Sequence, residues 1–380
     1  MSESTNTEVP YGRKNPFHAT VLEVHDLNGR GSIKQTCHVE LSLEGSGMEY
    51  VAGDVAGVLG VNCPEVVEDF LSATGLDGDA ATDSGVSLRE NLTTGWDITS
   101  MNPAFLKKYA PLANNPELDA MLEEGDKEKI SNWLWGREKR DAFLEFKPAT
   151  PLSQEQVLGL LRKMAPRLYS IASSLKAHPD EVHLTVGSVE FETGGLTRKG
   201  VCSTYLCQRI AKGDKVRVFM HHNKNFGLPE DGDTPIIMVG PGTGIAPFRA
   251  FIEERVALGQ KGRNWLFFGD QHLNTDYLYQ LEWQKYLKSG ALEKMHCAWS
   301  RDQDYKIYVQ DKIRENAAEI WEWLQAGAHF YVCGDANRMA KDVHQALIDI
   351  HAEFGGMSPE EAEAAVKDLQ KAKRYQRDVY

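Results

Sequence analysis

The sequence MVGPGTGIAPFRAF, residues 238–251, is the stretch that decides the fold. The apolar run 236–239 predicts a buried strand, which breaks into a turn with glycines at 240, 242 and 244 before a helix with Pro247 in its first turn. Glycines let a backbone approach a ligand closely, and a helix N-terminus offers N–H groups to an anion. The stretch therefore predicts a phosphate-binding turn, although a tight strand-to-helix connection in any α/β domain has a similar pattern. It does not match the usual dinucleotide-binding pattern, because Pro247 stands where a third Gly or Ala belongs.

Apolar runs alternate with helical stretches downstream of this turn. The predicted strands are 236–239, 265–269, 295–300 and 330–333, each separated from the next by a helix-length segment. This alternation is typical of a doubly wound parallel sheet. The domain is expected to begin near Pro229 to Asp233, where Pro, Gly and Asp cluster, and to cover residues 231–380.

Upstream, apolar residues alternate with polar residues at every second position, which is typical of antiparallel strands. The clearest case is residues 37–43, followed by a strand-like segment that begins with Tyr50–Asp54 and ends near Asn62, and by further strands at 168–173, 183–191 and 215–220. Helical periods replace this pattern over residues 64–150, and Asn102 and Ser153 have the form of helix N-caps. The prediction is an α+β domain followed by an α/β domain: a flexible lead-in at 1–15, an antiparallel β-barrel formed by 16–63 and 151–230, a mainly helical insertion at 64–150, and the parallel-sheet domain at 231–380.

Composition limits the class of protein. A chain of 380 residues is too long for one core, and its net charge of −13 argues against a nucleic acid or an anionic membrane as the main partner. The six cysteines form no C-x-x-C pair and suit reduced thiols, and no run of 18 apolar residues occurs. A cytoplasmic protein is expected. No metal site is predicted, because the adjacent His221 and His222 face opposite ways on a strand.

Two further motifs have the chemistry of a nucleotide site. The motif RLYS, residues 167–170, offers a guanidinium, an aromatic plane and a hydroxyl, which suit a flavin nucleotide. By itself it could equally be an amphipathic strand with a surface arginine. About 30 residues later, Gly200 to Thr204 begins a second helix, whose N-terminus and small side chains can hold a pyrophosphate.

Taken together, five motifs resemble the ferredoxin-NADP reductase superfamily: 167–170, 200–204, 240–247, Cys333-Gly334-Asp335, and the final residues 374–380. Within it, the chain is similar to the diflavin reductases, and most to the flavoprotein subunits of assimilatory NADPH-sulfite reductases. The resemblance extends from Asn15 to Tyr380 and includes the helical insertion. There are two departures. Such proteins carry an FMN-binding flavodoxin domain ahead of this region, which we do not expect in this sequence because few residues precede Asn15, and Gly227 stands where relatives often have a basic residue.

The resemblance implies FAD as the first cofactor. Tyr169 would lie against the isoalloxazine ring and Ser170 near its N5 atom, and the helix start would take the pyrophosphate. The implied FAD-binding residues are Thr99, Arg167, Leu168, Tyr169, Ser170, Thr185, Val186, Gly187, Gly200, Val201, Cys202 and Ser203.

The resemblance implies NADPH as the second cofactor. Gly242 and Thr243 would approach its pyrophosphate, and a pocket for the adenosine 2′-phosphate would be formed by Ser300, Arg301, Lys306, Ile307, Tyr308, Val309 and Gln310, with Asp342 on the nicotinamide side. An Arg and a Lys beside hydroxyl groups favour a dianion, whereas a ribose diol calls for an acidic residue. Without the other motifs, Arg301 and Lys306 would be read as solvated loop cations among Asp302 and Asp304.

The hydride-transfer group that the resemblance implies consists of Ser170, Cys333, Asp378 and Tyr380, with Tyr380 covering the flavin until the nicotinamide arrives. The expected activity is that of an NADPH-dependent flavoprotein oxidoreductase, which passes electrons singly to a protein acceptor. The favoured acceptor is the sulfite reductase hemoprotein, reached directly or through a separate FMN or iron–sulfur carrier. Two alternatives stay open: a ferredoxin- or flavodoxin-NADP reductase without a role in sulfite reduction, and a non-catalytic FAD-bound docking subunit.

Overall fold

The computed structural model describes residues 11–380. Residues 1–10 of the lead-in predicted at 1–15 therefore lie outside the described residues. The strands are β1 (Phe17–Asp26), β2 (Thr36–Ser42), β3 (Val55–Val58), β4 (Trp96–Asp97), β5 (Arg162–Lys163), β6 (Arg167–Ser170), β7 (Glu181–Gly187), β8 (Glu190–Thr193), β9 (Leu196–Lys199), β10 (Lys215–His221), β11 (Ile236–Val239), β12 (Asn264–Asp270), β13 (Lys294–Trp299), β14 (His329–Gly334) and β15 (Tyr375–Val379). The helices are α1 (Pro64–Thr74), α2 (Leu88–Gly95), α3 (Pro103–Ala113), α4 (Pro116–Glu123), α5 (Lys127–Leu134), α6 (Lys139–Glu145), α7 (Gln154–Leu160), α8 (Val201–Thr204), α9 (Ala246–Ala257), α10 (Leu273–Asp276), α11 (Gln280–Ser289), α12 (Val309–Glu315), α13 (Ala317–Gln325), α14 (Met339–Gly355) and α15 (Pro359–Lys371). A π-helical segment, Tyr205–Arg209, continues α8, and a 3-10 turn, Gly242–Ile245, precedes α9.

The chain forms two compact units. The first consists of Met1–Val58, Leu168–Ser188 and Ile210–Tyr380, and the second of Leu59–Arg167 and Val189–Arg209. The predicted division into a FAD domain, an insertion and an NADP domain is based on the expected cofactors, whereas the two units are defined by compactness. The predicted division therefore remains a prediction. Among the described residues, no helix is both long and apolar enough to cross a membrane.

The first unit contains a six-stranded sheet with the order β6-β3-β10-β1-β2-β7. The pairings from β3 through β10, β1 and β2 to β7 are antiparallel, as predicted. Just after β6, Ile171 forms an antiparallel bridge with Leu184 of β7. The strand predicted from Tyr50 to about Asn62 is confirmed only in part, because β3 begins at Val55. A turn precedes it, where Gly53 has φ +107° and a Cβ would lie 2.4 Å from the carbonyl oxygen of Phe226.

The first unit also contains a five-stranded parallel sheet with the order β13-β12-β11-β14-β15. Alternate residues of its strands enter different cores: Ile237 and Phe267 pack with α12, α13 and α14, whereas Met238 and Phe268 pack with α9 and α11. Helices therefore cover both faces, and the predicted doubly wound sheet is confirmed. The sequence did not predict β15, because its residues Gln376, Arg377 and Asp378 interrupt any apolar run.

The second unit has one core, formed by α1 to α7 around large side chains such as Phe70, Tyr109 and Phe143. The predicted caps are confirmed: the Asn102 side chain accepts from the N–H of Phe105 at 3.1 Å, and Ser153 forms a capping box with Gln156. Within the segment 64–150, which was predicted to be mainly helical, no separate signal marked α2, α4 or α6. The single strand predicted over 183–191 is also wrong, since β7 ends at Gly187 and β8 begins at Glu190, where it pairs with β9.

Candidate active site

The glycine turn of the first unit is pressed against the end of β14. A Cβ on Gly244 would lie 2.2 Å from the carbonyl oxygen of Cys333, and a Cβ on Gly240 would lie 2.4 Å from the carbonyl oxygen of Gly244. Gly242 has φ +56° instead, with no atom closer than 3.9 Å to its Cβ position. Gly240 and Gly244 are therefore required by close packing. Gly242 combines a left-handed backbone with open space in front of it.

The loop 300–310 begins where β13 ends. The N–H of Ser300 donates to the carbonyl oxygen of Asp270, which closes β12, at 2.9 Å. A Cβ on Gly269 would lie 3.0 Å from Val309 and 3.5 Å from Pro241 of the glycine turn. The ends of β11, β12 and β13 thus bring the two predicted NADPH-binding segments to the same edge, where parallel sheets bind their ligands.

Ser170, Cys333 and Asp378 meet in the first unit although they come from three distant parts of the chain. The hydroxyl of Ser170 donates to Oδ2 of Asp378 at 2.7 Å, and the Cys333 Sγ lies 4.0 Å from the same oxygen. Parallel pairing of β14 with β15 places Cys333 directly beside Asp378. Strand β15, which the sequence did not predict, is the element that brings the carboxylate to the site.

Burial sets the protonation of this group. It raises the pKa of the Cys333 thiol well above its ordinary value, and the neighbouring Asp378 raises it further. Cys333 is therefore a neutral thiol and a poor nucleophile. Burial also raises the pKa of Asp378, and the hydrogen bond from Ser170 lowers that pKa by a smaller amount.

The last residue of the chain reaches the glycine turn. The hydroxyl groups of Tyr380 and Thr243 are 2.8 Å apart, and the N–H of Tyr380 donates to the carbonyl oxygen of Gly334 at 3.1 Å. The Tyr380 side chain is nevertheless 56% exposed. Its backbone is held while its ring stays at the surface.

The predicted FAD-binding residues fall in both units. In the first, Leu168 is exposed, Tyr169 is half-buried, Val186 is buried, and the Thr185 hydroxyl pairs with the Tyr279 hydroxyl at 2.7 Å. A Cβ on Gly187 would lie 3.3 Å from the Thr243 methyl group, so this strand approaches the glycine turn.

The other predicted FAD residues lie in the second unit. Gly200 is the N-cap of α8, and its Cβ position is 2.6 Å from the Ser203 hydroxyl, so a side chain there would require Ser203 to shift. Val201 and Cys202 are half-buried at this helix start, and Arg167 is exposed. The N–H of Thr99 donates to the Asp97 carboxylate at 3.1 Å.

The residues predicted for the 2′-phosphate differ in exposure. Arg301, Lys306 and Tyr308 are exposed, Ser300 and Ile307 are half-buried, and Val309 is buried. Gln310 is buried, and its amide donates to Asp342 of α14 at 3.2 Å, which joins two of the predicted residues. Asp302 accepts from the N–H of Leu273 at 2.9 Å and pairs with His272, so that its carboxylate is engaged away from Arg301.

Sequence reasoning missed Lys34 and Asp270. The Lys34 ammonium contacts both carboxylate oxygens of Asp270, at 2.6 and 2.8 Å, and lies 3.9 Å from the Cβ position of Gly242. Asp270 could have been found, since it closes the strand beside the glycine-bearing one. Lys34 comes from the β1–β2 loop, some 200 residues away in sequence, and nothing local indicates its position.

A second missed feature is a histidine cluster on the six-stranded sheet. Within residues 11–380, possible metal-ligand atoms lie within 4.8 Å of one another in His38, Glu40 and His183, and in His178, Glu181 and His183. Burial, followed by the charge of Arg249, lowers the pKa of His38 to about 2 and that of His183 to about 3. The Arg249 guanidinium donates to Nδ1 of His183 at 3.4 Å, so the imidazole proton lies on Nε2, 3.0 Å from Glu181. With both its ring nitrogens engaged in this way, His183 serves the packing of the sheet.

Comparison with known proteins agrees with the two cofactor segments. Residues 9–205 match the family described as FAD binding domain, and residues 238–345 match the oxidoreductase NAD-binding domain. The chain is 50% identical to the sulfite reductase [NADPH] flavoprotein alpha-component of Bacillus subtilis, over 99% of this chain and 63% of that protein. The proteins of the same name from Aliivibrio fischeri and Vibrio cholerae are 48% and 47% identical, over 97% and 99% of this chain and 61% of each relative. The chain thus spans about three fifths of the length of these relatives.

Proposed function

We propose a function from the premise that this chain belongs to the FAD binding domain family and continues into an oxidoreductase NAD-binding domain. The proposed activity is that of an NADPH-dependent flavoprotein reductase, with FAD and NADPH as cofactors. The observation that carries it is the meeting of Ser170, Cys333 and Asp378 beside a glycine turn whose backbone is open at Gly242.

When bound, FAD takes two electrons from NADPH as hydride and can release them singly, which nicotinamide cannot do. The protein supplies binding and electrostatics. The hydroxyl of Ser170 donates its one hydrogen bond to Asp378 in the structure, and it would turn from Asp378 to donate that hydrogen bond to the flavin N5 atom. The Asp378 carboxylate would stabilise positive charge that develops on the nicotinamide. Cys333, neutral and buried, contributes packing.

The glycine turn would hold the NADPH pyrophosphate. Gly242 and Thr243 present the backbone there, and Lys34 supplies a cation 3.9 Å from the Cβ position of Gly242. Binding requires Lys34 to share its charge between the phosphate and Asp270. On the second unit, the backbone of Gly200 to Ser203 at the start of α8 would take the FAD pyrophosphate.

Arg301 and Lys306 would select NADPH over NADH. Both are exposed cations on the loop that begins beside Asp270 and ends at the buried Val309. We expect Arg301→Ala to weaken NADPH binding by about 1.5–3 kcal/mol, the range of a hydrogen bond to a charged group, and to leave NADH binding almost unchanged. Dissociation constants for both nucleotides measure this. Equal losses for the two would exclude a role in 2′-phosphate recognition.

Tyr380 would cover the flavin until nicotinamide displaces it. We expect Tyr380→Ala to improve the use of NADH, because the ring and its hydrogen bond to Thr243 no longer have to be displaced by a weakly bound nucleotide. The ratio of kcat/KM for NADPH to that for NADH should fall by about tenfold, the equivalent of one hydrogen bond of about 1.4 kcal/mol. Thr243→Val, which loses the same hydrogen bond but keeps the ring, separates the two contributions. An unchanged ratio in both variants would argue against this gating role.

The relatives are named as an alpha-component of sulfite reductase, so the acceptor we propose is the hemoprotein component of that enzyme, reached directly or through a separate FMN or iron–sulfur carrier. Anaerobic mixing tests the whole proposal. NADPH should bleach the bound flavin, and the hemoprotein, with or without a carrier, should then be reduced. A flavin that NADPH does not bleach would favour a non-catalytic docking subunit. Bleaching followed by transfer to ferredoxin or flavodoxin alone would favour the alternative NADP reductase.

Two finer points belong to the same proposal. Closure of the six-stranded sheet into a barrel is supported by the Ile171–Leu184 bridge and by the hydrogen bond from the N–H of Ala172 to the carbonyl oxygen of His183 at 2.8 Å. A cytoplasmic location is supported by the six cysteines, none of which forms a disulfide bond within residues 11–380.

A further inference from the structure

Arg249 is a buried side chain on α9, just beyond the glycine turn, and it is only 6% exposed. We infer that Arg249 is a positioning residue, which holds the chain around Ser170 at a set distance from the glycine turn. The inference rests on the proposed function, because the distance matters only if Ser170 serves the flavin and the glycine turn serves NADPH.

The first contact is made to the chain that follows Ser170. Nη1 of Arg249 donates to the carbonyl oxygen of Ala172 at 2.7 Å. Ala172 is fully buried, two residues after Ser170, and its own N–H donates to the carbonyl oxygen of His183 at 2.8 Å. Both backbone groups of Ala172 are therefore fixed, one by β7 and the other by α9.

The guanidinium itself is held in one orientation. Nη2 lies 2.9 Å from Glu253, Nε lies 2.7 Å from Glu282 of α11, and the group lies 5.0 Å from the centre of the Tyr279 ring. Burial alone would lower the pKa of Arg249, but these carboxylates outweigh it and raise that pKa. The side chain is a permanent cation in a planar fork, with its donors shared between the carboxylates and the Ala172 carbonyl.

The same face of α9 holds the next residues of the segment. Glu253 accepts from the N–H of Ser174 at 2.9 Å, and Glu254 accepts from the Ser174 hydroxyl. Residues 249 and 253 are one helical turn apart and so share a face. Because α9 starts at the glycine turn and residues 172–174 continue directly from Ser170, these contacts join the two segments through a rigid element.

Lysine cannot replace this arrangement. It keeps the charge, but its single ammonium group cannot reach Ala172, Glu253 and Glu282 with the geometry of a planar fork. A displacement of about 1 Å between reacting groups can cost about 100-fold in rate. We therefore expect Arg249→Lys to lower the rate of flavin reduction at saturating NADPH by about tenfold, which corresponds to a displacement smaller than about 1 Å. The NADPH dissociation constant should stay unchanged.

Arg255→Lys is the matched control. Arg255 is a buried arginine on the same helix, but its guanidinium contacts Asn264 and the carbonyl oxygen of Thr234 and does not reach residues 170–174. A second readout needs no turnover: amide hydrogen exchange of residues 170–176 in the FAD-loaded protein before NADPH is added. Exchange in this segment should rise in Arg249→Lys and stay at the wild-type level in Arg255→Lys.

The outcomes separate this inference from the proposed function. Wild-type rates and exchange in Arg249→Lys would overturn it, as would equal losses in both variants, which would indicate a general loss of stability. If Arg249→Lys does not retain FAD, Glu282→Ala removes the carboxylate that holds Nε of Arg249, from a side chain that is 35% exposed. Faster exchange at 170–176 in that variant supports the inference, and unchanged exchange overturns it. A wild-type flavin that NADPH does not reduce would refute the proposed function, while the exchange experiment would still test Arg249.

Discussion

Asp378→Asn should slow the reduction of the flavin by NADPH by about 100-fold, the usual cost of removing one preorganised electrostatic partner of a transition state. The half-buried carboxylate accepts the Ser170 hydroxyl at 2.7 Å and lies against the buried Cys333 thiol, so the substitution removes a charge from the site. Asparagine keeps the size of the side chain and its hydrogen bond, which limits any effect on folding. Stopped-flow measurement of flavin bleaching at saturating NADPH gives the rate.

The pH dependence of the same step provides a second readout. Burial raises the pKa of Asp378, against the effect of Ser170, so the carboxylate takes up its proton at a higher pH than an exposed aspartate does. The wild-type rate should therefore fall on the acid side as pH drops through this raised pKa, and the fall should be absent in Asp378→Asn. The variant Asp368→Asn, on the exposed end of α15, is a control that should show wild-type behaviour. If the acid limb persists in Asp378→Asn, another group controls it.

Gly244→Ala should remove NADPH binding while FAD stays bound. The new methyl group would lie 2.2 Å from the Cys333 carbonyl oxygen and 3.2 Å from the Gly334 Cα, and neither backbone group can move without disturbing β14. Overpacking of this kind costs about 1–3 kcal/mol in stability, and the displaced turn no longer presents the backbone at Gly242 to a phosphate.

Calorimetry with NADPH and thermal unfolding measure the two effects in Gly244→Ala. The matched control is Gly159→Ala, in α7, where the added methyl group meets nothing within 4 Å. A glycine in a helix is destabilising by about 0.5–1 kcal/mol relative to alanine, so this control should be slightly more stable than wild type and bind NADPH normally. Tight NADPH binding by Gly244→Ala would show that the glycine turn is not the phosphate site.

Most of the fold could be predicted because its signals are local. The apolar runs of β11, β12, β13 and β14, with helices between them, identify a parallel sheet, and the caps at Asn102 and Ser153 identify helix starts. The failures also have local causes. The segment at Tyr50–Asp54 has strand-like composition but a left-handed glycine at 53, and β15 is too polar to be recognised without the neighbouring strand that pairs with it.

The candidate site could be predicted only in part. The resemblance of five motifs indicated Ser170, Cys333, Asp378 and Tyr380. The structure brings the first three together in the first unit and places Tyr380 against Thr243 of the glycine turn. Lys34, Asp270 and Arg249 were not assigned to the site, although they belong to it or support it in the proposals above. Their roles depend on partners up to 236 residues away in sequence.

The sequence alone determined which groups are available: a glycine turn between a strand and a helix, a flavin-like RLYS motif, cations for a phosphate, and the family to which they point. These are short-range properties, set by the residue types and their spacing. The tertiary structure decided which groups meet. Pairing of β15 with β14 delivers Asp378 to Cys333, and the packing of α9 against the chain after Ser170 gives Arg249 its partners. Such contacts depend on how separate elements pack against each other, and no local pattern records that.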